Sequence, residues 1–253
     1  MLQLHVQDGV ASVVLDRPPV NAWNHEQLDL FEDALRAISE RTDIAVVVVR
    51  GAGSHFSAGG DIKMMASALR NGQMAGLNNF AARIQHLFNQ WAELPVPTIA
   101  VLRGAATGGG LELALACDLR VACDTSMIGL PEVKLGLVPA GGGTQRLTAL
   151  IGRGRALRLM LTGELVGGPE ARRLGIVEWS LPEPELDGHV QRLVAHFVAT
   201  AGPAHGAIKR CVALAGTGEG YAAETHYQRQ LHKSPEALSR LRTFVSEREK
   251  SNV

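Results

Sequence analysis

Twice along this chain an apolar, strand-like run breaks into a glycine-rich loop and then into a helical stretch, and that recurrence constrains the fold more tightly than any other feature. The first run, AVVVVR at 45–50, is apolar on both faces, as a strand inside a covered sheet must be, and it ends in GAGSHFSAGGD. The second, TIAVL at 98–102, leads through a glycine loop at 104–110 into LELALACD, which opens a helix. The flanks keep the same rhythm. Residues 10–15 alternate around Ser12 as a strand does, and the segment 25–41 places Leu28, Phe31, Leu35 and Ile38 at helical spacing. A helix is expected over 75–94, closed by PVP, then a strand at 119–122, a loop through Gly143 and a helix over 144–163. Strands and helices alternating in this way specify an α/β fold with mainly parallel pairing. Beyond Pro169 the strand signal fades except at 176–180, and charged, helix-patterned segments take over, suited to covering the core or to building a subunit interface.

Composition removes several classes of function. Of 253 residues, 46% are hydrophobic and 20% charged, the balance of an ordinary globular protein. Lys and Arg number 25 against 25 Asp and Glu with no long run of either sign, which argues against nucleic acid or an anionic membrane as a primary partner. No apolar run approaches the ~18 residues of a spanning helix. Residues 1–16 alternate like a strand instead of showing the basic-then-apolar order of a signal peptide, so a cytoplasmic protein is expected. Cys117, Cys123 and Cys211 form no CxxC pair and are too few for a disulfide framework, so they read as small buried hydrophobes. Aromatic residues make up only 4%, which leaves little for base stacking or an aromatic cage.

Familiar site motifs are absent as well. There is no GxSxG, GxxxxGK[ST] or HExxH, the glycines of GAGSHFSAGG and GGGLEL do not make GxGxxG, and the nine histidines form no ligand-spaced cluster. Two glycine loops remain, Ala58-Gly59-Gly60-Asp61 and Gly108-Gly109-Gly110, each after a strand and before a helix. Glycine lets the backbone approach a ligand, and free N–H groups at a helix start carry the positive end of the dipole. Two such loops would offer two donors to one developing oxyanion, or would simply make tight turns. Glu112 follows Gly110 within the first helical turn between Leu111 and Leu113, and Glu132 lies in IGLPEVKLGLVP, again among apolar neighbours. Burial raises a carboxyl pKa towards values useful for proton transfer, and two close carboxylates do not both ionise readily. A helix-start charge for Glu112 and a solvated turn for Glu132 remain the alternative.

At these residues the sequence resembles the crotonase superfamily, and within it the enoyl-CoA hydratases. The likeness runs through RPPVNAWN (17–24), HFSAGGDIKMM (55–65), PTIAVLRGAATGGGLELALACDLRVA (97–122), PEVKLGLVPAGGGTQRL (131–147) and LTGELVGGPEARRLGIVEWSLP (161–182), while SPEALSRLRTFVSEREK fits the family's C-terminal pattern loosely. The resemblance implies a single crotonase-like domain over 1–253, a spiral of ββα units, with an α/β core over about 1–190 and a helical subregion over about 191–253 that serves oligomerisation.

Carried over by motif position, the oxyanion hole would be the backbone N–H of Gly60 and Gly109, and the catalytic pair Glu112 and Glu132. Water would add across a trans-2-enoyl-CoA to give a 3-hydroxyacyl-CoA, with Glu112 as base on the water and Glu132 supplying the α-proton. The resemblance calls for no metal or redox cofactor, coenzyme A being part of the substrate. Acyl-CoA would lie against Asn21, Ala22, Ala58, Gly60, Asp61, Ile62, Lys63 and Gly109, with Lys63 placed to pair with a phosphate. Met64, Met65, Leu69, Met74 and Leu77 would wall the acyl chain or pack helices and subunits. The assembly implied is a homotrimer, or a hexamer built of two trimers. Competing readings are a Δ3,Δ2-enoyl-CoA isomerase, which needs one carboxylate and no activated water, and an idle acyl-CoA-binding or RNA-binding relative, the neutral charge opposing RNA.

Overall fold

The computed structural model describes residues 1–251, so positions 252 and 253 of the expected helical subregion lie outside the described residues. In chain order the elements are β1 (Leu2–Gln7), β2 (Val10–Leu15), α1 (His25–Ser39), β3 (Val46–Gly51), α2 (Ile62–Arg70), α3 (Met74–Ala92), β4 (Thr98–Leu102), β5 (Ala105–Thr107), α4 (Gly109–Ala116), β6 (Leu119–Cys123), β7 (Met127–Gly129), a 3-10 turn (Glu132–Leu135), α5 (Gly143–Ile151), α6 (Arg153–Thr162), α7 (Gly168–Leu174), β8 (Trp179–Leu181), α8 (Glu183–Ala199), α9 (Pro203–Ala213), α10 (Gly220–Leu231) and α11 (Pro235–Ser251).

Six strands form the main sheet in the order β1-β2-β3-β4-β6-β8, parallel throughout except for the β1–β2 hairpin. β5 and β7 pair in parallel in a second layer, which bridges from Ser57 to Ala106 and from Ile128 to Val166 extend. The chain therefore makes the same turn three times: a main-sheet strand, a short piece in the second layer, then helix. These turns are β3, Ser57 and α2; β4, β5 and α4; and β6, β7 and the 3-10 turn with α5. This is the expected ββα spiral.

β3 shows why its sequence lacks polar alternation. Val47 and Val49 enter a core with Phe31 of α1 and Phe88 and Trp91 of α3, whereas Val46 and Val48 meet Leu186 and Val190 of α8 on the other face. α1 starts where Asn24 caps it, the side-chain oxygen accepting from Gln27 N–H at 2.9 Å, and it buries Leu28, Phe31, Leu35 and Ile38 as their spacing requires. α4 is buried on every side from Gly110 to Ala116, so any polar residue on it is carried into the interior.

Several expectations need correction. The glycine loop at 104–110 contains β5, and α4 begins inside it at Gly109. The stretch read as loop through Gly143 holds β7 and the 3-10 turn, pieces too short for periodicity to register. The helix expected over 144–163 is two helices, α5 and α6, parted at Gly152, where φ is +79°. The strand expected at 176–180 is shorter and lies later, at Trp179–Leu181. None of the three cysteines is in a disulfide, and Cys117 and Cys123 are buried, but Cys211 is only half-buried.

Packing divides the chain into two compact units, residues 1–199 and a second that begins at Thr200. In the second, α9 and α10 pack together and Arg240 of α11 donates to the carbonyls of Thr200 and Ala201. No helix among the described residues is long and apolar enough to cross a membrane.

Candidate active site

The two glycine loops touch. Thr107 N–H donates to Ser57 O at 3.0 Å and Thr107 Oγ1 to Ala58 O at 3.1 Å. Gly59 lies at φ +95°, and a Cβ there would stand 2.9 Å from Thr107 O and 3.3 Å from Gly109 N, so glycine is what lets the loops meet. On either side of Gly60 the backbone is pinned to Trp23: Trp23 N–H donates to Gly59 O at 2.8 Å and Asp61 N–H to Trp23 O at 2.9 Å. Neither Gly60 N–H nor Gly109 N–H has an acceptor among the described hydrogen bonds. Gly109 opens α4, where the amide has no intrahelical partner. The chain thus holds two unpaired donors on touching loops, one at the positive end of a buried helix.

Glu112 is 3% exposed, and its Oε1 accepts from Gly141 N–H at 2.7 Å and Gly143 N–H at 2.9 Å. Its pKa is raised by burial, while the two amides and the Arg146 charge oppose the rise. Glu132 stands at the start of the 3-10 turn, its Oε1 3.0 Å from where a Gly108 Cβ would be, and its buried Oε2 has no hydrogen-bond partner. Burial, reinforced by the Glu112 charge, pushes Glu132 up to about 7. The structure therefore brings together the two glutamates and the glycine loops that the sequence singled out. The two carboxyls differ in their surroundings: two amides and the Arg146 charge oppose the effect of burial at Glu112, whereas Glu132 has an orphaned oxygen and is pushed up to about 7.

The expected acyl-CoA residues divide. Asn21, at φ +52°, is wholly occupied within the fold: Oδ1 accepts from Arg17 N–H at 2.8 Å and Nδ2 donates to the carbonyls of Ala52 and His55 at 3.1 and 2.8 Å. Ala22 is buried and its carbonyl accepts from Arg17 Nη1 at 3.1 Å. Asp61 caps α2 through the amides of Lys63 and Met64 and pairs with Arg17. Burial raises the Asp61 pKa, but Arg17 and the two amides outweigh it and hold the carboxyl below its ordinary value. Ala58 is half-buried beside the glycines, while Ile62 and Lys63 face solvent. Of the expected acyl wall, Met65 reaches the spot a Gly60 Cβ would occupy, to 2.5 Å, whereas Leu69 and Met74 are exposed.

Sequence reasoning missed three participants: the amides of Gly141 and Gly143 on Glu112, the guanidinium of Arg146, and Trp23, whose buried Nε1 has no partner and whose ring abuts Gly109. The third glycine run, AGGGTQR, was the available signal for the first of these. Among the described residues no group of three or more His, Cys, Asp or Glu is placed to hold a metal ion.

A ββα spiral with two glycine loops meeting at its centre is the crotonase fold. The pattern of the enoyl-CoA hydratase/isomerase family matches residues 5–250, and the chain belongs to that family. It is 37% identical over 197 residues to a probable enoyl-CoA hydratase of Bacillus subtilis, covering 78% of this chain and 75% of that one. A glyoxysomal fatty acid beta-oxidation multifunctional protein of Cucumis sativus is also 37% identical, over 73% of this chain, which spans only 25% of that protein's length. Among solved structures, an enoyl-CoA hydratase from Bacillus anthracis superposes with a TM-score of 0.91 at 30% identity, covering 97% of this chain and 96% of its own.

Proposed function

We propose that this chain hydrates trans-2-enoyl-CoA thioesters to 3-hydroxyacyl-CoA. The observation that carries the reading is the unequal pair of glutamates, one buried and held by amides, the other half-buried with an orphaned buried oxygen, beside two unpaired backbone donors. Glu112 takes a proton from water as the water oxygen bonds to the β-carbon. The displaced π electrons move through the α-carbon onto the thioester oxygen, where the Gly60 and Gly109 N–H groups receive the charge. Glu132 then gives its proton to the α-carbon, and solvent exchange returns the proton from Glu112 to Glu132 for the next cycle. One oxyanion donor typically contributes about 3 kcal/mol of barrier lowering. The reaction consumes no electrons, so no redox group is called for, and the two carboxylates handle the protons without a metal.

The family also contains isomerases, and Glu132, poised at about 7 with a free oxygen, has what a one-base proton shuttle needs. Glu112 favours hydration, because a second carboxylate fixed by two amides has no task in moving one proton between carbons. Acyl-CoA is the partner, the cytoplasm the expected compartment, and a trimer or paired trimers the assembly, with the helical end facing a neighbour. Metal-free protein should turn over crotonyl-CoA with loss of the conjugated thioester absorbance, and folded, CoA-binding protein inert on every enoyl-CoA would overturn the proposal.

A further inference from the structure

Arg146 lies in α5 just past the glycines at 141–143, and its guanidinium bonds two backbone carbonyls and one side-chain oxygen. Nη1 donates to Gly141 O at 3.0 Å, while Nη2 donates to Phe88 O at 3.3 Å and to Asn89 Oδ1 at 2.5 Å. Gly142 makes room for it: at φ +105°, a Cβ there would stand 2.0 Å from Nη1. Phe88 and Asn89 belong to the last turns of α3, so one side chain fastens the 141–143 loop to a second helix. That loop supplies the two amides that hold Glu112 Oε1. The contacts run without a gap from α3 through Arg146 and the glycine loop to the carboxylate.

We infer that Arg146 is a positioning residue, whose fork fixes the glycine loop and thereby aims the Glu112 carboxylate at the reacting water. The inference rests on the hydratase reading for its reaction, but its geometry does not. A guanidinium suits the task because its donors lie in one rigid plane and reach several carbonyls at once, which an ammonium does not do. The charge adds a second effect. The groups facing Glu112 are Glu132 from the 3-10 turn, Arg146 from α5 and, on the α3 side, the apolar Ile84, while Cys117 of its own helix faces Arg146. Arg146 thus adds its charge to the Gly143 and Gly141 amides in opposing the rise that burial imposes on the Glu112 pKa.

The test compares Arg146→Met, Arg146→Lys and Asn89→Ala in the full chain. Misplacing a reacting group by about an ångström costs up to about a hundredfold. Arg146→Met is therefore expected to lower kcat for crotonyl-CoA at least about tenfold with KM moved less than about threefold, and to shift the acidic limb of kcat/KM upward. Arg146→Lys should restore the limb but not kcat. Asn89 is exposed, so Asn89→Ala leaves the fold intact and should lower kcat by a few fold through the loosened guanidinium. Difference infrared spectroscopy, with the Glu112 carboxyl band identified by its loss in Glu112→Gln, should show the same upward titration in Arg146→Met. A kcat within about twofold of the parent in both Arg146→Met and Asn89→Ala, with the limb unmoved, overturns the inference. If Arg146→Met does not fold, Asn89→Ala decides by the same readouts. If the parent turns over no enoyl-CoA, the proposed function falls and the infrared midpoint decides alone, an unmoved midpoint refuting the role of Arg146.

Discussion

Glu132→Gln should make the protein more stable in alkali, even as it disables it. Glu132 is held at about 7 against an ordinary 4.5, chiefly by burial and then by the Glu112 charge. A carboxyl whose folded value is raised favours the fold while it stays neutral, and that contribution is lost as pH rises through the folded value. From pH 5 to pH 9 the linkage amounts to nearly 3 kcal/mol at 1.36 kcal/mol per pH unit, which partial exposure of the residue reduces to about 2 kcal/mol. Glutamine keeps the shape and cannot ionise, so the parent should lose this stability relative to Glu132→Gln across the window, a relative Tm change of about 4–8 °C. Paired thermal melts at each pH, at constant ionic strength, read it directly. A difference between the two proteins that stays flat from pH 5 to pH 9 would refute the claim that Glu132 is held neutral by its surroundings.

Glu112→Gln retains an oxygen for the Gly141 and Gly143 amides but no proton acceptor, so steady-state kinetics should show kcat reduced at least about a hundredfold in a protein that folds normally. The double variant with Glu132→Gln should lose far less than the product of the single effects, because the two groups act on one water. Asp61→Ala removes the cap of α2 and the partner of Arg17, and denaturant titration should register a loss of about 1–2 kcal/mol. Sedimentation at micromolar concentration should find trimers or hexamers, and a monomer would contradict the assembly proposed from the helical end.

Long or strongly patterned elements were legible in the sequence for physical reasons. TIAVL marks β4 to the residue, and Leu28, Phe31, Leu35 and Ile38 mark the buried face of α1, because burial imposes a period. β5 and β7 escaped because three residues hold no period, and their pairing is decided by partners far along the chain. The break between α5 and α6 was readable in principle, since Gly152 sits within an otherwise helical pattern. At the site, residue type pointed to the glutamates and glycines, since an acid among apolar neighbours needs an explanation. The amides of Gly141 and Gly143 and the reach of Arg146 to Phe88 and Asn89 were invisible, because these contacts join residues 29 to 58 positions apart. At Asn21 motif position suggested a ligand contact, and what the sequence did not show is that the side chain bonds three backbone groups of the fold.

The central claim is that Glu112 delivers a water oxygen to the β-carbon while Glu132 delivers the α-proton. Mass spectrometry of the product formed from crotonyl-CoA in ¹⁸O-labelled water, run for the parent and for Glu112→Gln, tests it most directly. A 3-hydroxyacyl-CoA carrying one ¹⁸O at the β-carbon is expected with the parent, and with Glu112→Gln the same labelled product at an initial rate at least about a hundredfold lower. Labelled product formed by Glu112→Gln at the parent's initial rate would contradict it, as would a parent that migrates the double bond of a 3-enoyl-CoA and adds no water to crotonyl-CoA.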